Sequence, residues 1–327
     1  MKIVEGRSLD SIDDYEMRDA EVPVPERGEV VIEVAVCGVG YADALVSLGR
    51  YQVKPALPHV PGQEAAGRVH AVGEGVTGLA PGDRVMATVQ GGFAQFARAC
   101  AGRTWRIPPR LTLAQAAGFR VNYLTALHGL RDRAQLAAGE RLLVLGAAGG
   151  VGVAAMQVGR LLGAQVLAVA SSDAKRAYAL SHGAHAVLDT DPEGWRDRLK
   201  AACDGTGPNV VFDPVCGPLF EPAFRSLTWR GRHLVVGFVG GPIPALRANL
   251  SLIKGASLVG VDVRQFILLE PERARSCLQE LLEWAGDGRL DPPVGREFAF
   301  EDFRAALEFA LTGQGLGKTV LRVSHGP

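Results

Sequence analysis

Near the middle of the chain a short apolar strand, Arg141–Leu145, breaks into the glycine-rich turn Gly146-Ala147-Ala148-Gly149-Gly150 and runs on through Val151-Gly152 into a helical pattern. A strand that ends in small residues and reopens as a helix lets backbone N–H groups and a helix N-terminus approach a diphosphate. The match to G-x-G-x-x-G is imperfect, because Ala147 stands at the first glycine and leaves A-x-G-x-x-G through Gly149 and Gly152. Alone, such a loop is equally an ordinary turn, so the flanking pattern has to decide.

That pattern changes at about Gly118. Before it the chain reads as β-rich: Val30 to Val36 around Glu33, Gly67 to Val72, and Arg84-Val85-Met86-Ala87 after the turn Pro81-Gly82-Asp83. Closely spaced strands with Gly/Pro punctuation predict a small barrel-like domain. After Gly118, strands at 141–145, 165–170, 186–188, 210–213 and 233–236 alternate with helices at 151–162, 174–181, around 195–202 and around 219–227. Near-continuous apolar strands separated by amphipathic helices predict an α/β fold whose parallel sheet is covered on both faces. The glycine loop follows the first of these strands, where a dinucleotide site belongs. Beyond Gly255 come a strand at 258–261, a long helix from Pro271 to about Asp287, and a closing Gly317-Lys318-Thr319-Val320-Leu321.

Lys+Arg and Asp+Glu both number 35, so there is no net field to draw nucleic acid or an anionic membrane. Met1-Lys2-Ile3-Val4-Glu5 leads into mixed polar sequence rather than a secretory signal. No apolar run approaches the ~20 residues of a membrane span. Five scattered cysteines without a C-x-x-C pair argue against a disulfide framework and for a reducing compartment. The expectation is a soluble cytoplasmic protein with no nucleic-acid or membrane partner.

Several motifs stand in a fixed order: Gly38-Val39-Gly40-Tyr41-Ala42-Asp43, Gly49-Arg50-Tyr51, Pro58-His59-Val60-Pro61-Gly62-Gln63-Glu64-Ala65-Ala66-Gly67, Pro81-Gly82-Asp83-Arg84-Val85, and Asn122-Tyr123-Leu124-Thr125-Ala126. With the glycine loop and the closing Gly-Lys-Thr-Val-Leu, the chain resembles the zinc-independent quinone oxidoreductases of the medium-chain dehydrogenase/reductase superfamily, the group that includes zeta-crystallin. The resemblance implies a split, β-rich GroES-like catalytic domain (1–118 and 260–327) around a Rossmann domain with a doubly wound parallel sheet (119–259).

Zinc-dependent relatives take, by this resemblance, a cysteine within the Gly38–Asp43 segment and a histidine of a Gly-His-Glu motif. Here those positions are Gly40 and Gln63, neither of which supplies the thiolate or imidazole of a catalytic zinc site. The third position, near Phe119-Arg120-Val121, also lacks an evident donor, and no metal is expected. Cys37 reads as a buried strand residue.

NAD-selective Rossmann folds carry an acid at the end of the second strand that bonds the ribose hydroxyls. That position is Ala170, followed by Ser171, Ser172, Lys175 and Arg176, which offer hydroxyls and cations to a 2′-phosphate. NADPH is therefore the expected cofactor, although Ser172 also suits an N-cap and Lys175 and Arg176 a solvated helix face. The phosphate-cradling loop is Gly146, Ala148, Gly149, Gly150, Val151 and Gly152. By resemblance Thr190, Gly237, Phe238, Val263, Thr125 and the tail's Lys318 add further cofactor contacts.

Without a Lewis acid to stabilise an alkoxide, the resemblance and the missing ligands point to an electron-poor acceptor, a quinone or an enone. The resemblance implies a cleft between the domains near Gly40, Tyr41, Tyr51, Asn122, Thr125, Phe238 and Arg264. Tyr51 is the leading candidate for a polar contact, or else an aromatic packed on the barrel surface. Tyr41 and Asn122 join it as candidate catalytic residues. Many members carry Asn where this chain has Gly40, which opens the acceptor choice between small quinone and 2-alkenal or enone; a non-catalytic NADPH-binding redox sensor is the alternative class. Strands 233–236 and 258–261 suggest an exposed sheet edge and hence a homodimer.

Overall fold

The computed structural model describes residues 1–324. The described chain divides into two compact units, one formed by Met1–Arg120, Ala285–Gly288 and residues 292–324, the other by Val121–Trp284 and Arg289–Asp291.

The first unit is built on a seven-stranded sheet. Its axis is the long strand Glu29–Val39, in which only Glu33 is exposed. Three strands cover its edges: Glu64–Val72 runs antiparallel along one side, and Phe96–Cys100 and Lys318–Arg322 share the other. Buried Val30, Ile32, Val34 and Cys37 are thereby packed into a common core with Ala65, Val69, Val85, Phe93 and Leu321. The helix Phe303–Leu311 closes this core with Phe303, Ala306 and Leu307. The last strand, Lys318–Arg322, places Val320 opposite Gly38 and Leu321 opposite Cys37, so both ends of the sequence build one sheet.

The second unit holds six parallel strands in the order Ala186–Leu188, Gln165–Val169, Arg141–Leu145, Val210–Asp213, Arg232–Val235, Ser257–Gly260. Counted along the unit this is 3-2-1-4-5-6, the Rossmann order, with its topological switch between the first and fourth strands. Those two central strands are buried throughout from Leu142 to Leu145 and from Val210 to Asp213, as a sheet covered on both faces demands.

Two features differ from the sequence expectations. Arg232–Val235 is an interior strand with buried His233 and Leu234; of the two strands, Ser257–Gly260 alone lies at an edge, the opposite edge being Ala186–Leu188. The chain returns to the first unit at Ala285 rather than at residue 260. The intervening strand 257–260 completes the parallel sheet, and the helix Pro271–Gly286 is held to the second unit by Arg131, which bonds Glu280 at 2.6 Å and Cys277 Sγ at 3.0 Å.

Candidate functional site

In the second unit the expected dinucleotide residues fall just beyond the C-terminal ends of the parallel strands. Gly146–Gly152 follows the first strand, Ala170–Arg176 the second, Thr190 the third, Gly237 and Phe238 the fifth, and Val263 the sixth. All six strands are parallel, so these segments share one edge of the sheet, the edge at which open α/β sheets take ligands.

The glycine loop is shaped for a close backbone approach. Gly146 sits at φ +61°, in the left-handed region that glycine enters without strain. Gly149 caps the helix Gly150–Leu161 without any side-chain hydrogen bond, so the first-turn N–H groups keep their donors for a ligand. A Cβ on Gly152 would overlap the carbonyl oxygen of Gly146 and the backbone of Ala147, which explains why the third glycine of the pattern is retained. The loop thus fits a pyrophosphate: the Ala147 and Gly149 N–H groups are used within the fold, on the Val169 and Gly146 carbonyls, but the helix start carries no side-chain cap and the turn no carboxylate.

At the end of the second strand Ala170 is buried and uncharged. Ser172 accepts the Lys175 N–H at 3.3 Å as the N-cap of Asp173–Ser181, while Ser171 is exposed. Arg176 is engaged, donating to the Ala170 carbonyl at 3.0 Å and pairing with Asp173. Lys175 is half-buried, and burial lowers its pKa. Thr190 is exposed. These groups would hold the adenosine end of a dinucleotide.

The loop after the fourth strand, Pro214-Val215-Cys216, was not singled out by sequence reasoning. It lies at the topological switch, where a Cβ on Gly146 would stand 2.8 Å from Val215 Cγ2. Buried Asp213 builds it: Oδ1 accepts the Val215 and Cys216 N–H groups at 2.8 and 2.7 Å, and Oδ2 lies 3.0 Å from Nε2 of buried His233. The loop is knit to the segment after the fifth strand by Gly240 N–H to Val215 O at 2.8 Å. Burial and the neighbouring Asp213 push the Cys216 thiol up to about 12, so it is no nucleophile at neutral pH. The only advance signal was an aspartate ending an otherwise apolar strand. Asn122 is buried on the helix Arg120–Leu127, and Thr125 Oγ donates to the Val121 carbonyl of that helix at 2.6 Å.

The first unit contains Tyr41, Tyr51 and Lys318. Tyr41 opens the helix Tyr41–Ser47 after the cap Gly40, and both tyrosines are half-buried. Asp43, on the same helix, accepts the N–H groups of Gly40, at 2.8 Å, and of Gln63. Burial raises its pKa, against the opposing pull of the Lys318 cation. Lys318 Nζ lies 3.7 Å from Glu64 Oε2, and Arg120 Nε lies 3.7 Å from Glu64 Oε1. Lys318 therefore belongs to a buried ion cluster of the first unit. Burial also pushes the Cys37 thiol far up, and its Sγ donates to the Glu64 carbonyl at 3.0 Å. Among the described residues no three His, Cys, Asp or Glu side chains group as a metal site.

Comparison with known proteins agrees with this architecture. The family model "Alcohol dehydrogenase GroES-like domain" matches residues 26–124, and "Zinc-binding dehydrogenase" matches residues 150–285. The chain is 35% identical over 301 residues to a quinone oxidoreductase-like protein 2 homolog of Nematostella vectensis, covering 91% of this chain and 82% of that one. It is 33% identical over 306 residues to the rat quinone oxidoreductase, covering 93% and 92%. The chain belongs to the quinone oxidoreductase family of the medium-chain dehydrogenases/reductases. Among solved structures, the Escherichia coli quinone oxidoreductase complexed with NADPH superposes with a TM-score of 0.89 at 25% identity, covering 98% of this chain and 100% of that one. Family membership makes this chain an oxidoreductase with a GroES-like domain and a Rossmann sheet. No helix among the described residues is long and apolar enough to cross a membrane.

Proposed function

We propose that this quinone oxidoreductase family member uses NADPH to reduce a quinone without a metal. The observation that carries the cofactor choice is the end of the second strand, where buried Ala170 replaces a ribose-binding acid and Ser171, Ser172 and Lys175 follow. An acid there would repel a 2′-phosphate; a lysine and hydroxyls attract one. The uncapped first-turn N–H groups of the helix Gly150–Leu161 would take the pyrophosphate. Gly237, Phe238, Val263 and Thr125 would complete the cofactor site. When bound, NADPH supplies a hydride.

Gly40 and Gln63 carry no ligating group, and their N–H groups serve the Asp43 carboxylate instead. This supports metal-free chemistry, in which the protein positions an acceptor that already attracts electrons. Tyr51, Tyr41 and Asn122 are the side chains proposed to contact that acceptor. Similarity to proteins named quinone oxidoreductase supports a quinone, and the same chemistry extends to an enone.

The test is steady-state oxidation of NADPH and of NADH against a panel of quinones, 2-alkenals and simple alcohols, with and without a chelator. Quinone turnover with NADPH preferred and no chelator effect is expected. Turnover of simple alcohols, or loss of activity on chelation, refutes the metal-free reading; tight NADPH binding with no turnover points to a sensor.

A further inference from the structure

Interior strands of a parallel sheet are normally apolar, yet Arg232–Val235 carries His233, wholly buried. Its register sets it beside Val211 on the strand Val210–Asp213, so it shares a sheet face with Asp213 two residues on. The ring packs on Phe220 and Phe224, with centroids 4.8 and 6.1 Å away. Its one hydrogen bond joins Nε2 to Asp213 Oδ2 at 3.0 Å, while Nδ1 is buried without a partner. The carboxylate accepts, so Nε2 carries the proton. A leucine or phenylalanine would suit these surroundings and orphan no nitrogen. Packing therefore does not account for the histidine; its bond to Asp213 does.

Asp213 is equally buried and hands this bond on, because its Oδ1 accepts the Val215 and Cys216 N–H groups at 2.8 and 2.7 Å. Within that turn Cys216 stands at φ +46°, a left-handed conformation that residues with side chains seldom adopt. The turn is wedged between two other strand-end segments of the second unit. On one side Val215 Cγ2 fills the space over Gly146, where a Cβ would stand only 2.8 Å away. On the other, the Val215 carbonyl accepts the Gly240 N–H at 2.8 Å. A Cβ on Gly240 would come within 2.7 Å of that oxygen and of Gly217 Cα. His233 thus anchors a chain of bonds that ends at the topological switch, where a dinucleotide lies across the sheet.

We infer that His233 is a positioning residue of the dinucleotide site: by holding Asp213 it sets the Pro214–Gly217 turn, against which the nicotinamide half of the cofactor rests. The assignment to a cofactor rests on the NADPH reading above. Loops after the first three strands take the adenosine end, so those after the fourth and fifth fall to the nicotinamide end. His233 itself touches no ligand. Without its Nε2 donor the Asp213 carboxylate would be short of partners in an apolar interior. It would swing toward water, loosening its bonds to Val215 and Cys216.

The test compares His233→Phe, which keeps a ring against Phe220 and Phe224, with His233→Gln, whose amide N–H can replace the lost donor. In the protein alone, alkylation of Cys216 by iodoacetamide, followed by mass spectrometry, should quicken about tenfold in His233→Phe. His233→Gln should return it toward the wild-type rate. Buried Cys203 and Cys277 should stay slow, whereas a general loss of fold exposes all three together. NADPH, titrated by its own fluorescence, should bind His233→Phe about tenfold more weakly. Adenosine 2′,5′-bisphosphate, which carries the adenosine end alone, should bind within about twofold of wild type. In wild type, NADPH should slow Cys216 alkylation and the bisphosphate should not, a readout that needs no variant to fold. A folded His233→Phe with an unchanged Cys216 rate overturns the positioning role while the NADPH reading stands. So does equal loss of both nucleotides, or NADPH without effect on Cys216 in wild type. If wild type binds neither nucleotide, the NADPH reading fails and the assignment to a cofactor falls with it.

Discussion

Arg176 donates through Nη1 to the carbonyl of Ala170 at 3.0 Å, and its other terminal nitrogen pairs with Asp173. A cation that sequence position alone would assign to a 2′-phosphate is thus committed to latching a helix onto the end of its own preceding strand. Lys175 is the adjacent cation, half-buried and with its pKa lowered by burial, which a bound phosphate dianion would reverse. Lys175→Ala should raise the KM for NADPH about tenfold (~1.4 kcal/mol) and leave the KM for NADH within twofold. Ala170→Asp should invert the preference toward NADH by placing a carboxylate against the phosphate. Arg176→Ala should act mainly on thermal stability. Steady-state kinetics with both cofactors decide these outcomes, and an unchanged NADPH:NADH ratio in Lys175→Ala removes that residue from the site.

The contact between Gly152 and Gly146 sets a second expectation. A Cβ at 152 would run into the Gly146 carbonyl, and neither backbone can move without shifting the start of the helix Gly150–Leu161. Gly152→Ala should destabilise the protein by about 1–3 kcal/mol and weaken NADPH binding, measured by denaturant titration and by quenching of protein fluorescence. Gly149 has room for a Cβ, its nearest neighbour being the Gly146 carbonyl oxygen at 3.6 Å. Gly149→Ala should therefore cost little stability, and any loss of NADPH affinity would report on ligand contact alone.

These two glycines also show what the sequence made legible. The strand–glycine–helix junction and the β/α alternation located the parallel sheet to within a residue or so, because apolar runs of that length are buried on both faces. Ligand-facing loops were legible where a glycine pattern or a missing acid marked them, as at Gly146–Gly152 and Ala170. The Pro214–Cys216 loop carried no such mark, since Asp213 builds it through backbone N–H groups and a histidine 20 residues away. Lys318 was legible as a cation but not as a partner of Glu64, a pairing that only the insertion of the last strand beside Glu29–Val39 creates. The return to the first unit was misplaced because a strand and a long helix after Gly255 carry no signal of which core they join.

Glu140 and Arg232 form a two-bond fork, 2.7 Å to each carboxylate oxygen, and the Ala137 N–H adds a third bond at 2.9 Å. Burial acts to raise the Glu140 pKa, but these bonds prevail and hold it below its ordinary 4.5. A depressed folded value means that the unfolded chain binds the proton first as pH falls. The stabilisation is therefore full above the unfolded pKa and is lost as pH drops through the folded one. Glu140→Gln should lower stability at pH 7 by about 1–3 kcal/mol, with the difference from wild type shrinking below pH ~4. Urea unfolding at several pH values tests this, and a pH-independent difference would show that the fork's charge is not what stabilises.

The strand Ser257–Gly260 is one edge of the parallel sheet, Ala186–Leu188 being the other, and it pairs with Arg232–Val235 on one side only; the Gly260 carbonyl accepts the Arg133 Nε–H at 3.0 Å. Next to it in the chain lies an apolar surface: Leu252 is 82% and Ile253 69% exposed, and Trp229, 74% exposed, packs its ring over Gly255. An exposed edge with a flanking apolar patch satisfies both needs at once when two copies pair about a two-fold axis, because the same strand meets itself and the same patch covers itself. The expected outcome is a homodimer by light scattering behind gel filtration. Leu252→Glu combined with Ile253→Glu should give a folded monomer, since both side chains already meet water in the isolated chain. A wild type that elutes as a monomer at tens of micromolar, or a double variant that stays dimeric, would place the interface elsewhere.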